Sequence, residues 1–174
     1  LVDEYKKNIE DNKLKTEEIE SVGIAIPGTV TDSIIIKAEN LGIRNLEIVR
    51  ELNKIYDIPI YLQNDAKCAA IAEKEFGSLK GYDDSMFLIL GTGVGGAVFL
   101  NGKLLKPKRY SGFEFGHMTL VKDGIPCTCG KKGCFERYAS IKSLKQRITK
   151  RLNLESSDIS GQYMREHLMV KFHD

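Results

Sequence analysis

Short apolar runs alternate with longer segments of helical period along this chain. In "SVGIAIPGTV" the run from Val22 to Ile26 is stopped by Pro27-Gly28, the pattern of a buried strand ending in a turn. "SIIIK", after Thr31-Asp32, predicts a second strand. "NLEIVRELNKIYD" sets Leu46, Val49, Leu52, Asn53 and Tyr56 at helical spacing, with Asn45 as the expected cap and Glu47 in the first turn. "IPIYLQ" predicts a strand. "NDAKCAAIAEKEFG" predicts a helix that opens at Asn64-Asp65 and is capped at its end by Gly77. Strand-to-helix junctions of this kind are where open α/β sheets gather ligands.

Beyond the turn "KGYDD", the stretch "SMFLILGTGVGGAVFLNGKLL" holds two apolar runs broken by Gly-Thr-Gly-x-Gly-Gly and ended by Asn101-Gly102. That is a hairpin signal, and it sets all the glycines in a tight strand-to-strand loop. From Ser140 to Leu152, Ile141, Leu144, Ile148 and Leu152 share one face of an amphipathic helix. "NLESSDIS" is a polar break, and the last segment is expected to be helical. The chain opens inside the helical pattern "LVDEYKKNIEDNKL" and stops after "LMVKFH", so neither end is expected to be a natural boundary. No internal repeat or low-complexity tract is visible.

Composition narrows the class. With 174 residues, 42% hydrophobic and 29% charged, the chain can bury a core and reads as one globular domain or a piece of a larger one. The 26 basic and 24 acidic residues nearly cancel, and no basic stripe is interleaved with aromatics, so charge gives no argument for nucleic acid. No apolar run approaches the ~20 residues of a membrane span, so no membrane partner is expected. Because residue 1 is Leu, a removed signal or a longer N-terminal segment stays open. Cys68, in an Ala-rich helical pattern, reads as a small buried side chain in a reducing, cytoplasmic compartment, with a reactive thiol as the alternative.

The densest chemistry lies in "HMTLVKDGIPCTCGKKGC", where His117, Cys127, Cys129 and Cys134 offer one imidazole and three thiolates. This is the ligand set of a closed tetrahedral zinc site, and soft sulfur favours zinc over magnesium or calcium. Gly130 and Gly133 let the backbone bend the sulfurs toward one point. A Cys129–Cys134 disulfide or unpaired thiols are the alternatives. Four protein donors leave zinc no open position, so the metal is expected to hold structure while chemistry lies elsewhere.

Other signals are weaker alone. Gly91, Thr92, Gly93, Gly95 and Gly96 could surround a phosphate with backbone amides, or simply form a glycine-rich hairpin turn. They are neither a Rossmann fingerprint nor a P-loop, because strand leads to strand and no Gly-Lys-Ser/Thr follows. Asn64 and Asp65 could face a ligand or merely cap a helix. Glu114, three residues before His117, and Glu136, two after Cys134, are either solvated surface acids or carboxylates held in one site by the metal loop.

Read together, "IAIPGTV", "NDAKCAA", "LILGTGVGGAVFLNGKL", "FEFGHM" and "CTCGKKGCFERYAS" resemble the ROK family of bacterial sugar kinases and sugar-responsive repressors. The likeness runs from about Val22 to about Ser140. It implies an α/β, actin-like ATPase (ribonuclease H-like) fold, here partial, with a structural zinc loop. Residues 1–80 would be the remainder of an N-terminal α/β domain lacking its first phosphate-loop hairpin, and 81–174 the truncated start of a C-terminal one.

By the same resemblance Asp65 is the catalytic base, and Asn40, Asn64, Asp65, Glu114, His117 and Glu136 bind sugar hydroxyls. Gly91, Thr92, Gly93, Gly95 and Gly96 become the second phosphate loop for ATP with Mg²⁺, and His117, Cys127, Cys129 and Cys134 the ligands of a structural Zn²⁺. A hexose substrate and a homodimer are implied. Nucleic acid is not expected unless a helix-turn-helix precedes Leu1. The chain departs from the family at Lys67, where "NDAN" usually has Asn, and at Phe113, where Gly usually precedes the "EFGH" glutamate. The expected activity is ATP-dependent phosphorylation of a hexose by a glucokinase-like enzyme. The alternatives are a sugar-sensing repressor and a zinc-braced fragment that binds sugar without phosphorylating it.

Overall fold

The computed structural model describes residues 7, 10–13, 18–106, 113–155 and 159–167. Most of the opening helical pattern, all of "LMVKFH" and part of the polar break "NLESSDIS" lie outside these residues. The chain divides into two compact units, Leu1–Phe87 with Ala97–Phe113, and Leu88–Gly96 with Glu114–Asp174.

In the first unit, β1 (Val22–Ile26) pairs in parallel with β5 (Ile60–Asn64), in register from Val22 opposite Ile60 to Ile26 opposite Asn64. β2 (Thr29–Val30), β3 (Ile35–Ala38) and β4 (Ile43–Leu46) form a separate antiparallel sheet. Helix α1 (Ile48–Asn53) contributes Ile48 and Leu52 to one core with Ile26, Ile35, Ala38 and Leu62. Burying an aliphatic side chain of this kind stabilises the fold by about 1.5–3 kcal/mol each. Asn45, expected to cap the helix, instead lies in β4 at φ 50. Pairing of Leu46 with Ile35 draws this stretch into the sheet, Asn tolerates the left-handed conformation, and the helix starts later with Glu47 making no side-chain cap. Asn53, counted on the apolar face, is exposed.

Helix α2 (Asp65–Phe76) follows β5 without a loop, with Asn64 as its N-cap and Gly77 as its C-cap. Its buried Ala70 packs with Ala97 and Phe99 in a second core, flanked by Leu79, Phe87 and Leu104. β6 (Ser85–Leu90), β7 (Val94–Leu100) and β8 (Lys103–Leu104) lie in that order in one sheet. The Asn101-Gly102 turn is anchored by bonds from the Asn101 amide to the Asp84 carboxylate and from the Gly102 amide to the Asp83 carbonyl. The glycine turn is shorter than expected. Gly91–Gly93 form it, closed by the Gly91 amide on the Gly93 carbonyl at 3.0 Å, while Gly95 and Gly96 are already strand residues of β7.

The second unit holds the tip of that hairpin, a 3₁₀ turn at Phe115–His117, the cysteine loop and three helices. These are α3 (Glu136–Ala139), α4 (Ile141–Leu152) and α5 (Gly161–His167). Ser140 caps α4 by accepting from the Ser143 amide at 3.1 Å. The apolar stripe of α4 is only partly covered among the described residues: Ile141 and Ile148 are half-buried, whereas Leu144 and Leu152 are exposed. No helix of the described residues is long and apolar enough to cross a membrane.

Candidate functional site

At the β5–α2 junction one asparagine does three things. The Asn64 Oδ1 accepts from the Lys67 amide at 3.1 Å, and its Nδ2 donates to the Gly28 carbonyl and to the Asp65 Oδ1, each at 3.0 Å. The same Asp65 oxygen accepts from the Ala66 amide at 2.9 Å. The exposed Asp65 carboxylate is thus gripped through one oxygen, and its other oxygen has no partner among the described residues. Asn64 is a helix cap, as its local sequence suggests, and also orients the neighbouring acid. Asn40 is exposed in the 3₁₀ turn Glu39–Leu41 and makes no bond to either residue. Cys68 is half-buried rather than buried; burial, then the charge of Asp65, push its thiol up, which favours the unreactive reading.

In the second unit His117, Cys127, Cys129 and Cys134 bring one ligand atom each to within 4.8 Å of one another. Cys127 Sγ lies 3.6 Å from His117 Nδ1, and Cys129 Sγ 3.6 Å from Cys134 Sγ. A tetrahedron with Zn–S bonds of about 2.3 Å has edges of about 3.8 Å, so the spacing suits that metal. All four cysteines are free, and 3.6 Å is far beyond an S–S bond, which removes the disulfide alternative. The loop folds this way because the Cys127 amide bonds the Lys131 carbonyl and the Gly130 amide returns to Cys127. Gly133, at φ 72, crosses the Val121 backbone so closely that a Cβ would collide with the Val121 carbonyl.

Burial pushes the Cys127 thiol up to about 12 and raises Cys134 as well, while the Lys131 amide lowers Cys129. Cysteine ligates only as thiolate, so metal uptake here releases protons.

Glu136 opens α3 beside this cluster. Its Oε1 accepts from the Cys127 Sγ at 3.2 Å and lies 3.6 Å from His117 Nδ1. Its Oε2 sits against the glycine turn, where a Cβ on Gly93 would approach it to 2.7 Å. Gly116 crowds the same carboxylate, since a Cβ there would lie 3.3 Å from its Oε2. The fold therefore brings together His117, the three cysteines, Glu136 and Gly93. Since His117 Nδ1 faces the cluster, the ring geometry turns Nε2 away from it. Glu114 is exposed, and its backbone carbonyl closes the 3₁₀ turn on the His117 amide at 3.0 Å. Phe113 before it takes φ 62.

Sequence alone did not single out the wall of α4 beside the glycine turn. Gly91, Thr92, Ile141, Lys142, Lys145 and Gln146 line a groove of about 490 Å³. The available signal was that α4 follows the cysteine loop almost directly, which returns its first turn to Gly91.

The family model described as ROK family matches residues 1–169. Over 138 residues the chain is 36% identical to the glucokinase of Streptomyces coelicolor, covering 78% of this chain and 44% of that protein. Over 142 residues it is 35% identical to the xylose repressor of Bacillus subtilis, covering 79% of this chain and 36% of that protein. The chain thus spans less than half the length of these curated relatives. A crystal structure of a ROK family glucokinase from Streptomyces griseus, in complex with glucose and AMPPNP, matches with a TM-score of 0.79 at 30% identity, over 95% of this chain and 58% of that one. The expected α/β, actin-like ATPase fold is the fold these residues adopt.

Proposed function

The chain belongs to the ROK family, and from that premise we propose that it serves in an ATP-dependent hexose kinase of the glucokinase type. Asp65 takes the proton of the sugar hydroxyl as that oxygen bonds the γ-phosphorus and the bond to the β-phosphate oxygen breaks, leaving ADP. Asn64 keeps the base in place through one carboxylate oxygen and leaves the other for the hydroxyl. Asn40, Glu114, Glu136 and the Nε2 of His117 bind the remaining sugar hydroxyls. Gly91, Thr92, Gly93, Gly95 and Gly96 approach the phosphates, whose charge Mg²⁺ neutralises when bound. Residues 1–80 and 81–174 contribute to separate domains in this reading.

The cysteines and His117 fit a structural zinc ion, which supplies no open coordination position and therefore no activated water. Their part in the reaction is to fix the backbone on both sides of His117 and Glu136. A cytoplasmic homodimer belongs to the same reading.

The observation that carries the proposal is the Asp65 carboxylate, exposed, oriented and half unengaged at a helix start. A repressor that only binds sugar has no need of such a base. The repressor reading keeps its place because of the 35% identity to the Bacillus subtilis xylose repressor. The test is a screen of hexoses with ATP and Mg²⁺ on the full-length protein, followed by detection of the sugar phosphate. Sugar binding without phosphate transfer to any hexose would replace the kinase with the repressor.

A further inference from the structure

The groove beside the glycine turn has two walls that are physically tied. Gly91 and Thr92 form one, the first turns of α4 the other, and the Ile141 amide donates to the Gly91 carbonyl at 3.0 Å. Lys142 and Lys145 therefore keep a fixed station relative to the turn. They stand three residues apart on the helix, close enough to act on one ligand. Neither has an ion-pair partner among the described residues. Helix α4 itself carries five basic residues and no acidic one, so nothing along it neutralises them. Gln146, next on the same wall, adds an amide with both donor and acceptor.

An ammonium group in a groove costs little while solvated and gains most from a multiply charged oxyanion that can meet two at once. We propose that Lys142 and Lys145 are donor-binding residues that hold the phosphate chain of a nucleoside triphosphate lying in this groove. The inference rests on the proposed nucleotide role of Gly91–Gly96 and adds two cations that the glycine motif does not contain.

The experiment measures binding of Mg²⁺–ATP, inorganic tripolyphosphate and adenosine to the full-length protein by calorimetry, for the wild type, K142Q, K145Q and the double variant. Affinity for ATP and tripolyphosphate is expected to fall roughly tenfold in the double variant, the combined loss of two partly exposed charge contacts. Adenosine affinity, sugar affinity and zinc content should not change, and K142R/K145R should restore ATP binding. In turnover the KM for ATP rises while kcat stays near its starting value. A loss below threefold overturns the proposal, as does an equal loss for adenosine, which would mean that the lysines only shape the groove. If the wild type binds neither ATP nor tripolyphosphate, the nucleotide reading itself falls, and the lysine role with it.

Discussion

Asp65 and Glu136 are both acids at the first residue of a helix, yet they are held by different means. Around Asp65 the partners are Asn64 and Ala66, its immediate neighbours, and the Asn64 side chain is anchored in turn on the distant Gly28 carbonyl. Around Glu136 they come from three segments: Cys127 of the cysteine loop, His117 and Gly116 of the 3₁₀ turn, and Gly93 of the hairpin. The first acid depends on a local cap. The second depends on a loop whose fold relies on a cluster of sulfurs, so anything that disturbs the cluster should reach Glu136 and leave Asp65 alone.

The harshest way to separate them is Cys134→Ala. Cys134 is fully buried and holds both the 3.6 Å contact to Cys129 and the bridge of its backbone to Thr119. Structural zinc contributes about 10–16 kcal/mol of apparent binding energy in small zinc-finger peptides, so losing one ligand should cost the fold more than the loss of either acid. The variant should lose most of its zinc, and amide exchange should quicken across Phe115–Ala139 while protection in Asp65–Phe76 stays. Stoichiometric zinc in this variant would remove Cys134 from the ligand set.

Asp65→Asn tests the other side. The amide preserves shape and can still meet Asn64, but it cannot accept the proton, and positioned general bases contribute about 10²–10⁴ in rate. Turnover should fall by that order with zinc content and sugar affinity unchanged. Near-normal turnover would end the base assignment. Glu136→Ala should act more mildly and on binding: loss of a hydrogen bond to a charged group is about 1.5–3 kcal/mol, or roughly 10–100-fold in sugar affinity. Unaltered sugar affinity would mean that the carboxylate serves only the cysteine cluster and the glycine turn.

The contrast also explains what the sequence could disclose. The Asn64-Asp65 junction was legible because capping chemistry is local, and strand, cap and helix are adjacent letters. The cysteine cluster was legible because ligand type and spacing are specific even without a fold. The packing of Glu136 on Gly93 was not, since it arises only when hairpin, 3₁₀ turn and α3 converge. β4 was missed for the same reason: "IRNL" has no strand period, and its pairing with β3 overrode a helix signal that began at Asn45. The short β2 and the early start of β7 likewise follow from ladder bonds that no local pattern announces.

The smallest expected effect concerns the residue between the two regions. Phe113 ends the first unit, immediately precedes Glu114, and holds φ 62, a conformation that costs a non-glycine residue about 1–2 kcal/mol. Phe113→Gly removes that cost but loosens the unfolded chain by about 0.4–1 kcal/mol, and it also deletes the ring. Phe113→Ala deletes the ring and keeps the Cβ, so the ring's contacts cancel between the two variants. Glycine should then be more stable than alanine by about 0–1.6 kcal/mol, read as a slightly higher Tm. If alanine is the more stable of the two by more than the error of the measurement, the left-handed backbone at Phe113 is not strained. In that case the residue that stands where the family usually has glycine shapes the approach to Glu114 through its side chain alone.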